Sequence, residues 1–142
     1  GGDQGYRMSY QRISTGLHNL LTAVSGIKLV IDNEPTSIPE TPLIYSILES
    51  QTPAGADAVI ITTYRTKHSL VLPWQDSAEA EDTARDYVDA ILAAFLANRT
   101  LSGYCRHCDM SDGEPEFQTI NGQDYRVVNF YSEALDVSVQ IR

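Results

Sequence analysis

The stretch "AVIITTYRTKHSLVL", residues 58–72, decides the fold. It is rich in β-branched and aromatic residues and carries no turn signal inside. Such a run predicts one long strand, twisted or bulged along its length.

Upstream, "LIYSIL" (43–48) follows Pro39 and Pro42 and reads as a strand. Between the two runs, "ESQTPAGAD" (49–57) has the residues of a long hairpin loop. Earlier still, Ile27, Leu29 and Ile31 alternate with Lys28, Val30 and Asp32, the pattern of a half-buried strand. Before that, Tyr10, Ile13, Leu17, Leu20, Leu21 and Val24 recur at three- and four-residue steps. They predict one amphipathic helix, with Gly26 as its C-cap and Gly16 a weak point inside it. Gly1-Gly2-Asp3-Gln4-Gly5 reads as a cloning remnant, leaving 6–142 as a single α+β domain.

Downstream, "LVLPW" leads into a second helix. Its stripe is Ala84, Tyr87, Val88, Ile91, Leu92, Phe95 and Leu96. Glu79, Glu81, Asp82, Asp86 and Asp89 crowd its first half, Asp76 starts a capping box with Glu79, and Arg99 closes the far end. These charges suit the helix dipole, and the acidic residues read as a solvated face. Leu101 to Met110 is a further candidate strand and "SDGEP" (111–115) a turn. "FQTINGQDYRVV" holds Asn121-Gly122, the strongest short hairpin signal in the chain. Leu135, Val137, Val139 and Ile141 alternate as a last strand. Runs of strands broken by single helices predict an α+β fold: an antiparallel sheet with two main helices packed on one face.

Composition narrows the function. The 142 residues carry a net charge of −9 and a pI near 4.6, and the ten Lys and Arg residues are scattered. Sequence-specific nucleic-acid binding and attachment to an anionic membrane need clustered cations, so neither is expected. No apolar run reaches the roughly 20 residues of a membrane-spanning helix. Two cysteines make no disulfide scaffold, and a reducing cytosol is the expected compartment.

The stretch "SGYCRHCDM" (102–110) holds Cys105, His107 and Cys108, residue types that can ligate a metal or carry redox chemistry. A structural zinc needs four ligands, and there is no second Cys pair. A redox pair needs a helix N-terminus after it, and none follows. The expectation is two free thiols on a strand, one inward and one partly exposed, with no metal and no cofactor. No nucleophile motif, P-loop or dinucleotide-binding glycine pattern is present, and His18, His68 and His107 lack partnering motifs. No catalytic residue is therefore assigned. The eight tyrosines divide between sheet packing and protein interfaces.

Four segments together resemble the tail-terminator and tail-completion (neck) proteins of long-tailed phages. They are the opening helix running into "SGIKLVIDNEP", the proline-preceded strand "IPETPLIYSILE", the long strand with "LVLPW" and the helix "DSAEAEDTARDYVDAILAAFLANRTLSG", and "INGQDYRVVNFYSEALDVSVQIR". The resemblance implies a structural protein of virion assembly and not an enzyme. It implies rings, commonly hexameric, that cap the tail tube and join it to the head connector. The place implied is the virion tail or neck, after assembly in the host cytoplasm. The acidic balance suits a channel that DNA crosses without sticking. Candidate interface residues are Gln51, Thr52 and Pro53 on one side. On the other are Asp112 and Glu114 of the 111–116 turn, with Tyr125 and Tyr131 beside them. Two rival readings stand beside this one: a monomeric protein-binding module, and a small α+β enzyme using His68 or His107.

Overall fold

A computed structural model describes the backbone of residues 2–56, 59–74 and 77–139. Side chains are described for these except 2–9, 56, 77, 112, 114, 138 and 139. The elements are α1 (Gly2–Thr22), β1 (Leu29–Ile31), β2 (Leu43–Ala56), β3 (Val59–Pro73), α2 (Ser77–Ala97), β4 (His107–Ile120) and β5 (Gln123–Val139).

The five strands form one sheet in the order β1-β2-β3-β5-β4. The pairs β2–β3, β3–β5 and β4–β5 are antiparallel. The short β1 is the exception: it runs parallel to β2, with Leu29 opposite Leu43 and Ile31 opposite Tyr45. The chain from 32 to 42 makes the return that a parallel pair requires, and Ile38 packs under the sheet on the way.

Residues 58–72 meet the expectation of one long strand from Val59 onward. β3 alternates because Tyr64, Thr66, His68, Leu70 and Leu72 point into one buried face. Both helices cover that face. Ile13, Leu17, Leu20, Leu21 and Val24 of the first segment meet Ala84, Ile91 and Phe95 of α2 over Ile44, Tyr64, Leu70, Val128 and Phe130. Gly16 is no weak point. A Cβ there would stand 2.9 Å from the Leu101 Cβ, so the bare glycine is what lets α1 approach the turn after α2. Gly26 takes φ +91°, as the cap reading requires. A smaller cluster of Leu43, Tyr45, Val71, Tyr125 and Val127, with Leu29, Ile31, Ile38 and Ile120, occupies one end of the opposite face.

Several expectations fail, each for a tertiary reason. "ESQTPAGA" (49–56) is no loop: β2 continues through it, in register with β3 up to Ala56 opposite Val59, and Asp57 lies outside the described residues. A register shift between Leu48 and Ser50 absorbs an extra residue. Backbone pairing with the β-rich 59–66 segment outweighs the local turn chemistry of Pro53 and Gly55. "SDGEP" is likewise no turn but an irregularity inside β4, between Asp112 and Pro115. Gly113 belongs there, because a Cβ would meet the Asn129 carbonyl oxygen at 1.9 Å. The Asn121-Gly122 hairpin forms as read, with φ +51° and +79°. It joins two long strands: the hairpin arm and the alternating run as far as Val139 are one element, β5, and Ile141 lies outside the described residues. Leu101–Arg106 is a chain of turns and not a strand, and β4 starts only at His107. Leu96 lies exposed past the end of the α2 stripe. The Asp76 cap lies outside the described residues.

Candidate functional site

The residues assigned to an interface fall on the two outer strands. β1 shields β2 only at Leu43–Tyr45, so from Ser46 onward β2 has, among the described residues, a single hydrogen-bonded strand neighbour, β3. Gln51, Thr52 and Pro53 lie on that open stretch with exposed side chains. Asp112 and Glu114 lie on β4, the opposite edge, and their side chains are outside the described residues. The two predicted loops are thus two sheet edges, separated by the width of β3 and β5.

Tyr125 and Tyr131 part company. Tyr125 is buried in the small cluster with Val71 and Val127, so its ring is not a surface group. Tyr131 is half-buried on the helix-free face, with the Arg65 guanidinium 4.2 Å above its ring. Arg65 is fixed there by Glu133 at 2.8 Å and Glu49 at 3.2 Å. The hydrogen bond it donates to Glu133 leads the causes that raise its pKa. Farther along this face Ile61 and Val59 are 44% and 42% exposed. Toward the other end a polar chain crosses three strands. Ser69 Oγ donates to Asn129 Oδ1 at 2.7 Å, and Asn129 Nδ2 donates to Glu116 Oε1 at 3.0 Å. These amide donors, Asn129 first and then Gln118, hold Glu116 below the usual carboxylate range.

The residues weighed for chemistry are taken up by packing. His68 is fully buried, between Ser46 Oγ at 2.7 Å from Nδ1 and Ser132 Oγ at 2.8 Å from Nε2, and stacked on Phe130 at 4.8 Å. Both ring nitrogens are satisfied, and burial lowers its pKa to about 3, so the ring is neutral. His107 is tied to Arg99 at 3.1 Å and lies 3.4 Å from Asp109. Arg99 also bonds Asp109 at 3.0 Å, so it clamps the start of β4 instead of capping α2.

Cys105 and Cys108 are both buried, which corrects the expectation of one partly exposed thiol. Cys105 sits in the turns, and the strand geometry applied to the pair holds only for Cys108. Their amides close on the chain after α2: Cys105 N–H on Thr100 O at 3.0 Å, Cys108 N–H on Arg99 O at 2.6 Å. Burial pushes the thiols up to about 11 and about 12 respectively. Among the described residues no group of three or more His, Cys, Asp and Glu is placed to hold a metal ion. No described helix is long and apolar enough to cross a membrane.

One exposed feature escaped the sequence reading. Trp74 and Phe117 are 57% and 54% exposed and lie 4.9 Å apart. Beneath them the buried Arg126 guanidinium stacks on Phe117 at 4.8 Å and pairs with Glu81. Glu81 is therefore more than a solvated-face residue. Nothing local marks this cluster, because Trp74, Glu81, Phe117 and Arg126 come from four separate places in the chain.

No protein-family model and no curated protein matches the chain. Among solved structures it is similar to the PVC sheath/tube terminator of an extracellular contractile injection system, in the extended state, solved by cryo-electron microscopy. The match has a TM-score of 0.47 at 11% identity and covers 92% of this chain. The chain spans 59% of that protein's length.

Proposed function

We propose that this chain is a structural subunit of a phage-type tail, forming a ring that closes the end of the tail tube and meets the head connector. The observation that carries the reading is the pair of edges with no strand beyond them among the described residues, β2 from Ser46 onward and β4. Both belong to a sheet whose helix side is already packed. A ring needs two different surfaces on each subunit, because only heterologous contacts continue from copy to copy. This fold offers two such surfaces on opposite sides of one rigid sheet. Gln51, Thr52 and Pro53 would mark one joint surface and the 112–114 segment of β4 the other. Tyr131 under Arg65 is the aromatic anchor nearby. The sequence resemblance to tail-terminator and neck proteins supplies the biological setting.

The test is tail assembly from purified parts. Tubes that lack this protein should overgrow and fail to attach to heads, and adding it should restore both. Tubes that stop at the correct length and join heads without it refute the reading.

A further inference from the structure

We propose that the ring closes by sheet-edge pairing, the β2 edge of one copy hydrogen-bonding antiparallel to the β4 edge of the next. This rests on the ring reading above and assigns it an occupant, a second copy of this chain.

The first ground is the backbone. From Ser46 to Ala56 the outer side of β2 meets no described strand, a run of about 11 residues or roughly 37 Å at the usual strand rise. Beyond Cys108, whose N–H is taken by the Arg99 carbonyl, the outer side of β4 likewise meets no described strand. Rows of unpaired N–H and C=O groups are satisfied best by another strand.

Strand direction is the second ground. β2, β3, β5 and β4 are adjacent in that order and each pair is antiparallel. β2 and β5 therefore run one way, β3 and β4 the other. A copy related by rotation about an axis along the strands brings its β2 beside this β4 in antiparallel sense. The alternation continues across the joint without reversal. Pairing of like edges, β2 with β2 or β4 with β4, is two-fold and stops at a dimer.

Charge is the third. The sequence of β4 carries Asp109, engaged by Arg99, and Asp112, Glu114 and Glu116. Two β4 edges would set these carboxylates in like-charge rows, which is destabilising. Residues 46–56 of β2 hold one charge, Glu49, whose carboxylate is engaged by Arg65. The β4 edge thus repels its own kind and not β2. Pro53 and Pro115 each remove one backbone donor, and β1 blocks Leu43–Tyr45. Together these confine the ladder to the stretch after Tyr45 and disfavour promiscuous pairing.

Cysteine cross-linking tests the joint. In a Cys105→Ser, Cys108→Ser background, Ser50→Cys, Gln51→Cys or Thr52→Cys is combined with Asp109→Cys or Ser111→Cys. The set spans the possible registers. Full-length protein is oxidised on tail tubes, and circular dichroism verifies the fold of each variant. At least one pair should give disulfide-linked ladders longer than two subunits, and no single-cysteine variant should. Adding Ser50→Pro or Thr52→Pro, at a position the cysteine does not occupy, should abolish the ladder while the chain stays folded. Rings seen by electron microscopy that no pair cross-links would overturn edge pairing and leave the ring reading standing. Dimers from Gln51→Cys alone would overturn it in favour of β2–β2 pairing. Absence of any oligomer on tubes would remove both readings.

Discussion

Replacing His68 by glutamine isolates one titration in the core. His68 is fully buried and neutral, with a folded pKa lowered from 6.5 to about 3 by burial. Around it stand Ser46 of β2, Ser132 and Phe130 of β5 and Phe95 of α2, none of them charged. The unfolded chain takes up a proton on this ring as pH falls through 6.5, and the folded chain does not until about 3. Stability from this group is therefore fully present above 6.5 and is lost progressively as pH falls toward 3. The slope inside that window is about 1.4 kcal/mol per pH unit. Between about pH 7.5 and pH 5 the loss is on the order of 2 kcal/mol. All other groups are the same in both proteins and cancel in the difference. The assay is urea unfolding of wild type and His68→Gln at the two pH values. Glutamine keeps groups able to bond Ser46 and Ser132 and has no proton to gain. The wild type should lose about 2 kcal/mol more than the variant on acidification. Equal losses would mean that His68 is protonated or solvated in the fold, and the argument from burial would fail.

Ile91→Ala should destabilise by about 2–5 kcal/mol in chemical denaturation, because Ile91 is wholly buried against the sheet. Leu92→Ala, at a half-buried position on the same helix, should cost less. Glu81→Ala should cost about 1.5–3 kcal/mol by stranding the buried Arg126, whereas Asp82→Ala should stay within about 0.5 kcal/mol. Equal effects would mean that the Glu81–Arg126 pair is not formed. Cys105 and Cys108 should resist a thiol-specific reagent near pH 8 until denaturant is added, as thiols pushed up to about 11 and about 12 require. Rapid labelling of native protein would contradict their burial.

Periodicity carried the helices because it is a local signal. Ile13 to Val24 and Ala84 to Phe95 each form one stripe, and each stripe is the face that packs. The Asn121-Gly122 turn was equally legible, since positive φ at adjacent residues is a property of those residues alone. The α+β class followed from the order of these elements. What tertiary structure decided is wherever local chemistry and long-range pairing disagree. Pro53, Gly55 and the 111–115 segment carry turn residues, yet they extend because β3 and β5 lie alongside to pair with them. That one reversal turned two predicted loops into sheet edges and so changed the form of the candidate site. The fates of Tyr125, buried, and Tyr131, under Arg65, depended on which sheet face each occupies and what covers it. Glu81 met Arg126, 45 residues away, for the same reason. A sequence states what each residue prefers by itself; which neighbour overrules the preference is settled only when distant strands come into register.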